Sequence, residues 1–297
     1  MAKVAIMTDS NSGITQAEGK ELGIKVIPMP FNIDGEEYYE DINLTQEQFY
    51  EKLEGGAKVS TSQPSIAYVN EVWDELLETY DQVIYIPMSS GLSNSCATAL
   101  TSAKAKYEGK VFVVDNQRIS VTQRQSVLDA IELANCGYSG QEIHDKLMEI
   151  KFESDIFIMV NTLEYLKKGG RITAAAAALG GMLKLKPILL IKGEKLDKYR
   201  MRNRNVENAK EIMIDACIEK IEGYLKDKDG RTDNVHLEVA YSGTDKTEVL
   251  AFVEQIKAKF PGQEVYYAPL SLSVSCHIGP GALAMAISKY MPDDWTK

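Results

Sequence analysis

The sequence predicts an α/β fold of two domains, and three observations lead to this prediction. The chain has 297 residues, which corresponds to about two domains of roughly 150 residues each. Short runs rich in β-branched residues alternate with longer segments of helical periodicity. Because the short runs are apolar on both faces, they predict a mostly parallel sheet that is flanked by helices.

The first half of the chain has the clearest alternation of strands and helices. Thr45 and Gln48 have the spacing of a capping box, which predicts that a helix begins there. We expect strands at 4–7, 25–33, 83–86 and 111–114, and helices at 15–22, 45–54, 65–80 and 93–105.

The second half has elements of different lengths, beginning with two consecutive helices. Gly193 and Glu194 predict the turn of a hairpin. We place a domain change near residue 160, so that residues 1–160 form an N-terminal α/β domain and residues 161–297 a second one. We expect helices at 121–135, 139–149, 206–226 and 281–290, and strands at 156–160, 187–192, 237–241 and 265–268.

The charge balance bears on the class of ligand. The 33 basic and 43 acidic residues give a net charge of −10. Because phosphate contacts require clustered Lys and Arg, this balance argues against a nucleic-acid-binding protein.

The chain has neither a signal-peptide core nor an apolar run long enough to cross a bilayer. We therefore expect a cytoplasmic protein.

The cysteines and histidines give no metal-ligand pattern. The three histidines are scattered, and the four cysteines form no C-x-x-C pair. We therefore predict no metal site, and the sparse thiols are typical of a reducing compartment. The cysteines are Cys96, Cys136, Cys217 and Cys276.

Polar clusters follow three strands of the predicted N-terminal sheet. They are residues 8–10 (Thr-Asp-Ser), 89–93 (Ser-Ser-Gly-Leu-Ser) and 115–116 (Asp-Asn). Because ligands bind at the carboxyl ends of parallel strands, we expect the clusters to share one edge of the sheet. The cluster at 89–93 also precedes a helix, so its N–H groups and hydroxyls could hold an anion. Turn formation with a helix N-cap explains the same residues equally well.

Three further motifs contain candidate ligand-binding groups. Residues 61–65 (Thr-Ser-Gln-Pro-Ser) form a hydroxyl-rich stretch, for which a capped turn is the simpler explanation. Residues 166–173 place Arg171 next to two glycines, where it could grip a carboxylate or phosphate or simply follow a helix C-cap. His277 precedes Gly279, Pro280 and Gly281, and we predict that it lies just ahead of a helix start.

No catalytic signature accompanies these motifs. The nucleophile-elbow pattern G-x-S-x-G does not occur around residues 89–95, and the H-E-x-x-H, P-loop and G-x-G-x-x-G patterns do not occur anywhere in the chain. The residues therefore favour holding an anion over transforming it, and we assign no catalytic residue.

The motifs at 8–10, 61–65, 89–93, 166–172 and 277–282, taken in this order, resemble the signatures of the DegV family of bacterial fatty-acid-binding proteins. The resemblance runs over nearly the whole chain, with Ile278 standing where the family has Thr. It implies a two-domain DegV-like fold whose second domain has a mixed sheet. It also implies a lipid-binding carrier, not an enzyme, that holds a long-chain fatty acid such as palmitate, stearate or oleate and needs no cofactor.

The resemblance also implies roles for single residues. Thr61 and Ser93 would hold the carboxylate, and the carrier would present it to an ATP-dependent fatty acid kinase of the dihydroxyacetone-kinase-like type. Transient contact with a membrane is compatible with such a carrier. The ligand-binding set is Thr61, Ser62, Gly91, Ser93, Asn94, His277 and Gly279; the set that supports the partner or phosphotransfer is Arg171, Arg200, Arg202 and His277.

Two alternatives stay open from the residues alone. One is an enzyme that acts on an acyl or phosphorylated small molecule, with Ser93 or His277 as the reactive group. The other is a regulatory lipid sensor whose acidic surface contacts a protein.

Overall fold

The described part of the chain contains three β-sheets. It comprises residues 2–178, 185–200, 205–226 and 232–296 of a computed structural model. The sheets have four, three and six strands.

The four-stranded sheet is entirely parallel, in the order β2-β1-β6-β7. Its strands are β1 (Val4–Asp9), β2 (Lys25–Ile27), β6 (Gln82–Ile86) and β7 (Val111–Val113). This sheet and its alternation with helices confirm the prediction for the first half of the chain. The helices are α1 (Gln16–Glu21), α3 (Ile66–Leu77), α4 (Ser95–Lys106), α5 (Ser120–Asn135) and α6 (Gly140–Glu149).

Helices cover both faces of this sheet because each face is apolar. Trp73 of α3 packs edge-on against Tyr85 of β6, with ring centroids 6.0 Å apart, on the face that α4 also covers. On the other face, Ile84 packs with Val127 of α5 and Ile143 of α6. Burial on both faces explains why the strands are apolar throughout.

The three-stranded sheet corrects the predicted strand at 25–33. Pro28 and Pro30 lack the N–H that a sheet ladder requires, so β2 ends at Ile27 and the chain enters a second sheet at Phe31. This sheet is antiparallel in the order β4-β3-β5, and helix α2 begins with the predicted capping box at Thr45. Its elements are β3 (Phe31–Ile33), β4 (Glu36–Tyr38), β5 (Val59–Thr61) and α2 (Gln46–Glu54).

The six-stranded sheet is mixed, in the order β10-β9-β8-β13-β11-β12. Only the β11–β12 pair is parallel, and β9 and β10 form the predicted hairpin. The strands are β8 (Ser154–Met159), β9 (Ile188–Ile191), β10 (Asp197–Arg200), β11 (Val235–Tyr241), β12 (Val265–Pro269) and β13 (Leu283–Lys289). The helices are α7 (Glu164–Gly169), α8 (Ala174–Ala177), α9 (Val206–Lys220, continued by a π-helical turn to Leu225), α10 (Thr247–Lys259) and α11 (Leu272–Ile278).

The predicted helix at 281–290 is wrong, because this segment contains β13. Its Ala and Met residues favour a helix in isolation. However, β13 lies between β8 and β11, and residues 282–288 are all buried. Ladder bonds to two neighbours and burial on both faces outweigh the intrinsic preference.

The α/β fold class, with a parallel N-terminal sheet and a separate mixed sheet, is confirmed. The division into residues 1–160 and 161–297 stays a prediction; β8 precedes it in the chain but is hydrogen-bonded into the six-stranded sheet. One apolar cluster joins the two halves, since Met88 and Ile119 pack with Ile156 and Leu189. The candidate site lies in this shared cluster.

Candidate functional site

The three polar clusters lie together at the carboxyl edge of the parallel sheet, as predicted. The N–H of Met88 donates to Asp9 Oδ2 at 2.8 Å, and the N–H of Ser90 donates to Asp115 Oδ1 at 3.2 Å. The side-chain amide of Gln123 donates to Asp9 Oδ1 at 3.2 Å. Burial raises the pKa of Asp9 to about 6, although these hydrogen bonds act in the opposite direction. Asp9 thus joins the strand ends to helix α5.

A cavity of about 190 Å³ opens from this edge into the apolar cluster between the two halves. Its walls are mainly apolar, with a smaller number of polar groups. The apolar lining residues are Met29, Met88, Leu92, Ile119, Val121, Ile156, Ile158, Leu166, Ile191, Leu196, Ala240, Leu270, Val274, Ile278 and Ala284. The polar lining residues are Asn11, Thr61, Ser62, Gln63, Ser93, Asn94, Ser120, Arg171, Ser273 and His277.

Four of the polar residues form a connected group at the cavity, which we call the polar cluster: Thr61, Ser93, Arg171 and His277. Thr61 Oγ1 and His277 Nε2 share a hydrogen bond of 2.8 Å. The imidazole lies against Gly169, where a Cβ atom would overlap the ring. Arg171 donates from Nη1 to the carbonyl of Gly169 and from Nε to the carbonyl preceding Ser93, at 3.2 Å. The structure thus brings together residues from four separate sequence motifs.

Ser93 lies directly ahead of helix α4. Its Oγ atom accepts from the N–H of Ser95 at 3.2 Å and is 3.0 Å from Ser95 Oγ. Ser89, by contrast, stabilises the turn itself, because its hydroxyl donates to the carbonyl of Gly193 and accepts from the N–H of Gly91 at 3.1 Å. The 89–93 motif therefore combines turn formation at Ser89 with a cavity-lining hydroxyl at Ser93.

His277 is neutral in this environment near pH 7. Burial lowers the pKa of His277 to about 4, and the positive charge of Arg171 acts in the same direction. Arg171 therefore carries the positive charge of the polar cluster. Thr61 and Ser93 contribute hydroxyl groups that can donate to an anion.

The position predicted for His277 is wrong. It lies in the last turn of helix α11 and not ahead of a helix start. Ser271 is the N-cap, and its hydroxyl accepts from the N–H of Val274 at 3.4 Å. Gly279 ends the helix with φ of 76°, a conformation that favours glycine. The Gly-Pro-Gly sequence after His277 therefore ends one helix and leads into strand β13.

The two predicted glycines lie against neighbouring chain segments and are not among the cavity-lining residues. A Cβ atom at Gly91 would overlap the backbone at Gly193 and Glu194. A Cβ atom at Gly279 would overlap the ring of Tyr165. Both positions permit close approach of the backbone, which explains the residue type without a ligand contact.

The remaining predicted residues fall into three groups. Ser62 and Asn94 are exposed and line the cavity. Arg200 lies at the end of the edge strand β10, exposed and away from the cavity lining. Arg202 lies outside the described residues.

Three buried polar residues of the cavity belong to none of the sequence motifs described above, namely Asn11, Ser120 and Ser273. Asn11 directly follows the Thr-Asp-Ser motif, so its place beside the strand end was available from the sequence. Ser273 precedes His277 by four residues, which places both on one face of a helix. The spacing of Ser273 and His277 is informative only if helix α11 is predicted.

The described ranges contain neither a metal-binding cluster nor a membrane-spanning helix. No group of three or more His, Cys, Asp or Glu side chains in these ranges is placed to hold a metal ion. Within the same ranges, every helix is too short or too polar to cross a membrane.

Comparisons with known proteins identify the family of this chain. The family model described as "Uncharacterised protein, DegV family" matches residues 3–290. The chain is 29% identical over 290 residues to a DegV domain-containing protein of Deinococcus radiodurans, covering 96% of this chain and 98% of that protein.

Two solved structures are similar over almost their whole length. "Fatty Acid Binding of a DegV family Protein from Thermus thermophilus" has a TM-score of 0.86 and 30% identity, covering 97% of this chain and 99% of that one. "DegV, a fatty acid binding protein from Bacillus subtilis" has a TM-score of 0.84 and 27% identity, covering 97% and 100%. With a family match from residue 3 to residue 290, this chain belongs to the DegV family.

Proposed function

We propose that this protein binds a long-chain fatty acid, such as palmitate, stearate or oleate, and presents its carboxyl end to a fatty acid kinase. The observation that carries the proposal is a mainly apolar cavity with the polar cluster of Thr61, Ser93, Arg171 and His277 among its lining. An amphipathic ligand with one anionic end matches this distribution. The fatty-acid-binding relatives from Thermus thermophilus and Bacillus subtilis support the same ligand class.

The lining of the cavity supports an alkyl chain, because 15 of the 25 lining residues are apolar. Each buried methylene contributes about 0.8 kcal/mol. The alkyl chain therefore supplies most of the affinity, and the polar cluster fixes the orientation.

The hydrogen bond between Thr61 and His277 suits a carboxylate. With the proton on Nε2, neutral His277 donates to Thr61 Oγ1, which leaves the Thr61 hydroxyl hydrogen free to donate to the ligand. Ser93 donates a second hydrogen bond, and Arg171 offsets the negative charge. In this arrangement Thr61 and Ser93 hold the carboxylate directly, while His277 orients Thr61.

Exposure at the cavity supports presentation to a second protein. Ser62, Gln63 and Asn94 line the cavity and are exposed, and Thr61 and Arg171 are half-buried. A carboxylate held at Thr61 and Ser93 would thus lie near the surface, while the alkyl chain is enclosed. An ATP-dependent kinase could reach the carboxylate without extracting the chain.

Calorimetric titration of lipid-free protein with oleate tests the binding. We expect saturable binding of one oleate per chain, together with an increase in the melting temperature. Absence of both effects would contradict the proposal.

A coupled assay tests the presentation step. The oleate-loaded protein is incubated with ATP and a dihydroxyacetone-kinase-like fatty acid kinase, and acyl-phosphate is trapped with hydroxylamine. We expect acyl hydroxamate only when carrier, kinase and ATP are all present. Tight oleate binding without any acyl hydroxamate would support the proposed lipid binding and contradict the proposed presentation to a kinase.

A further inference from the structure

We propose that the preferred ligand is a long-chain fatty acid with a hydroxyl group partway along its chain, and that Ser120 recognises this hydroxyl. The inference rests on the proposed function, which it narrows to a substrate class. It comes from a second group of polar residues in the cavity, the buried polar patch, formed by Asn11, Ser120 and Ser273.

Ser120 is a buried hydroxyl that lacks a protein partner in the described ranges. Its side chain lines the cavity and the residue is only 5% exposed. No described residue hydrogen-bonds to its Oγ atom. Its φ of 56° is unusual for a residue other than glycine. The residue lines the cavity, where a polar group of the ligand can pair with this hydroxyl.

Asn11 presents a weakly paired hydrogen-bonding group in the patch. It is 1% exposed, and its Oδ1 atom accepts from the hydroxyls of Ser271, at 3.0 Å, and Ser273. Its Nδ2 atom donates to the thioether of Met88 at 2.7 Å. A thioether is a weak acceptor, so an oxygen of the ligand would be a better partner for this N–H group.

Asp9 connects Asn11 to Gln123 of helix α5. Asp9 Oδ1 accepts from the N–H of Asn11 at 3.0 Å and from Gln123 Nε2 at 3.2 Å. Ser120 is the first residue of helix α5 and precedes Gln123 by three residues. Hydrogen bonds of Asp9 thus join Asn11 to the helix that begins with Ser120.

The position of Ser273 sets the distance from the polar cluster. Ser273 and His277 are four residues apart on helix α11, which corresponds to about 6 Å along the helix axis. A ligand whose carboxylate lies at the polar cluster would pass the patch a few carbons further along. An unsubstituted alkyl chain there would cover the Ser120 hydroxyl without forming a hydrogen bond to it. A hydroxyl on the ligand can both donate and accept a hydrogen bond.

Competitive binding to lipid-free protein tests this inference. The probes are stearate and a series of monohydroxylated stearates that differ only in the position of the hydroxyl. We expect at least one positional isomer to bind about 10-fold more tightly than stearate, the effect of one added buried hydrogen bond. The Ser120→Ala and Ser120→Gly variants should lose this preference and still bind stearate.

Ser120→Gly keeps the positive φ accessible and so serves if Ser120→Ala fails to fold. The control is Ser102→Ala on helix α4, which is outside the cavity lining and should keep the preference. The inference would be overturned if no isomer bound more tightly than stearate, which is the result expected if water fills the patch. It would also be overturned if both Ser120 variants kept the preference for a hydroxylated isomer. Failure of stearate and of every isomer to bind would overturn the proposed function itself.

Discussion

Thr61 and His277, which are 216 positions apart in the sequence, share a hydrogen bond of 2.8 Å at the cavity. Thr61 is the last residue of strand β5, and His277 lies in the last turn of helix α11. Helix α11 contacts both β5 and β3, and Leu272 and Cys276 pack with Phe31 and Phe49. The three-stranded sheet thereby holds Thr61, from the first half of the chain, against His277, from the second half.

The double variant Thr61→Ala/Ser93→Ala tests which groups hold the carboxylate. We expect oleate affinity to fall by at least about 10-fold, because two hydrogen bonds to a charged group are lost. Arg171→Ala and His277→Ala should each cost less, and calorimetric titration compares the variants. Thr101→Ala is the control, because it removes an exposed hydroxyl group on α4. Loss of all binding in Arg171→Ala would contradict this division of roles.

A Gly169→Ala substitution should disturb the polar cluster without removing any of its functional groups. The added Cβ would overlap the imidazole of His277, so either the ring moves away from Thr61 or α7 shifts. We expect weaker oleate binding and a loss of about 1–3 kcal/mol of unfolding free energy. Gly223→Ala is the matched control, since its Cβ would meet no atom within 4 Å. Equal behaviour of the two variants would argue against the packing of His277 on Gly169.

The pKa of His277 can be followed by NMR of the imidazole signals. We expect titration near pH 4, and the Arg171→Gln variant should raise this pKa toward its ordinary value of 6.5, because a nearby positive charge is removed. His236 is an internal control, because burial and Arg118 lower its pKa to about 4 without Arg171. The folded pKa of His277 lies below its unfolded value, so its contribution to stability is present above pH 6.5 and is lost as the pH falls toward 4. An unchanged His277 titration in Arg171→Gln would contradict the assigned coupling.

The contribution of Glu238 to stability depends on pH in the opposite direction to that of His277. Burial raises its pKa from 4.5 to about 7, although Ser288 donates a hydrogen bond to Oε2 at 3.0 Å and Arg118 lies nearby. Its contribution to stability is therefore present below pH 4.5 and is lost as the pH rises through about 7. We expect Glu238→Gln to raise the unfolding free energy by about 1–3 kcal/mol at about pH 8 and to change it little at about pH 4. Denaturant unfolding at both pH values measures this, and equal effects at the two would contradict the assigned pKa.

Much of the first half was predictable because its signals are local. Apolar strands, the Thr45 capping box and the polar residues after each strand placed the parallel sheet and its ligand-binding edge. The prolines at 28 and 30 were visible in the sequence, but only the structure shows that the chain changes sheets there. The roles of Thr61 and Ser93 in holding a ligand stay predictions.

The second half was harder to predict because tertiary contacts decide its structure. The segment that contains β13 has helix-favouring residues but becomes a strand between two others. Because the segment of β13 was predicted to be a helix, helix α11 was not predicted. The shared helix face of Ser273 and His277 was therefore not predicted either. Ser120 could not be assigned from the sequence, because its isolation from hydrogen-bond partners is a property of the folded cavity.

Organic extraction of the freshly purified protein, followed by mass spectrometry, shows whether the protein carries a fatty acid. We expect about one long-chain fatty acid per protein chain, and much less from the Thr61→Ala/Ser93→Ala variant purified in parallel. A wild-type protein that yields no fatty acid, and that takes up none when oleate is added, would contradict the proposed fatty-acid binding.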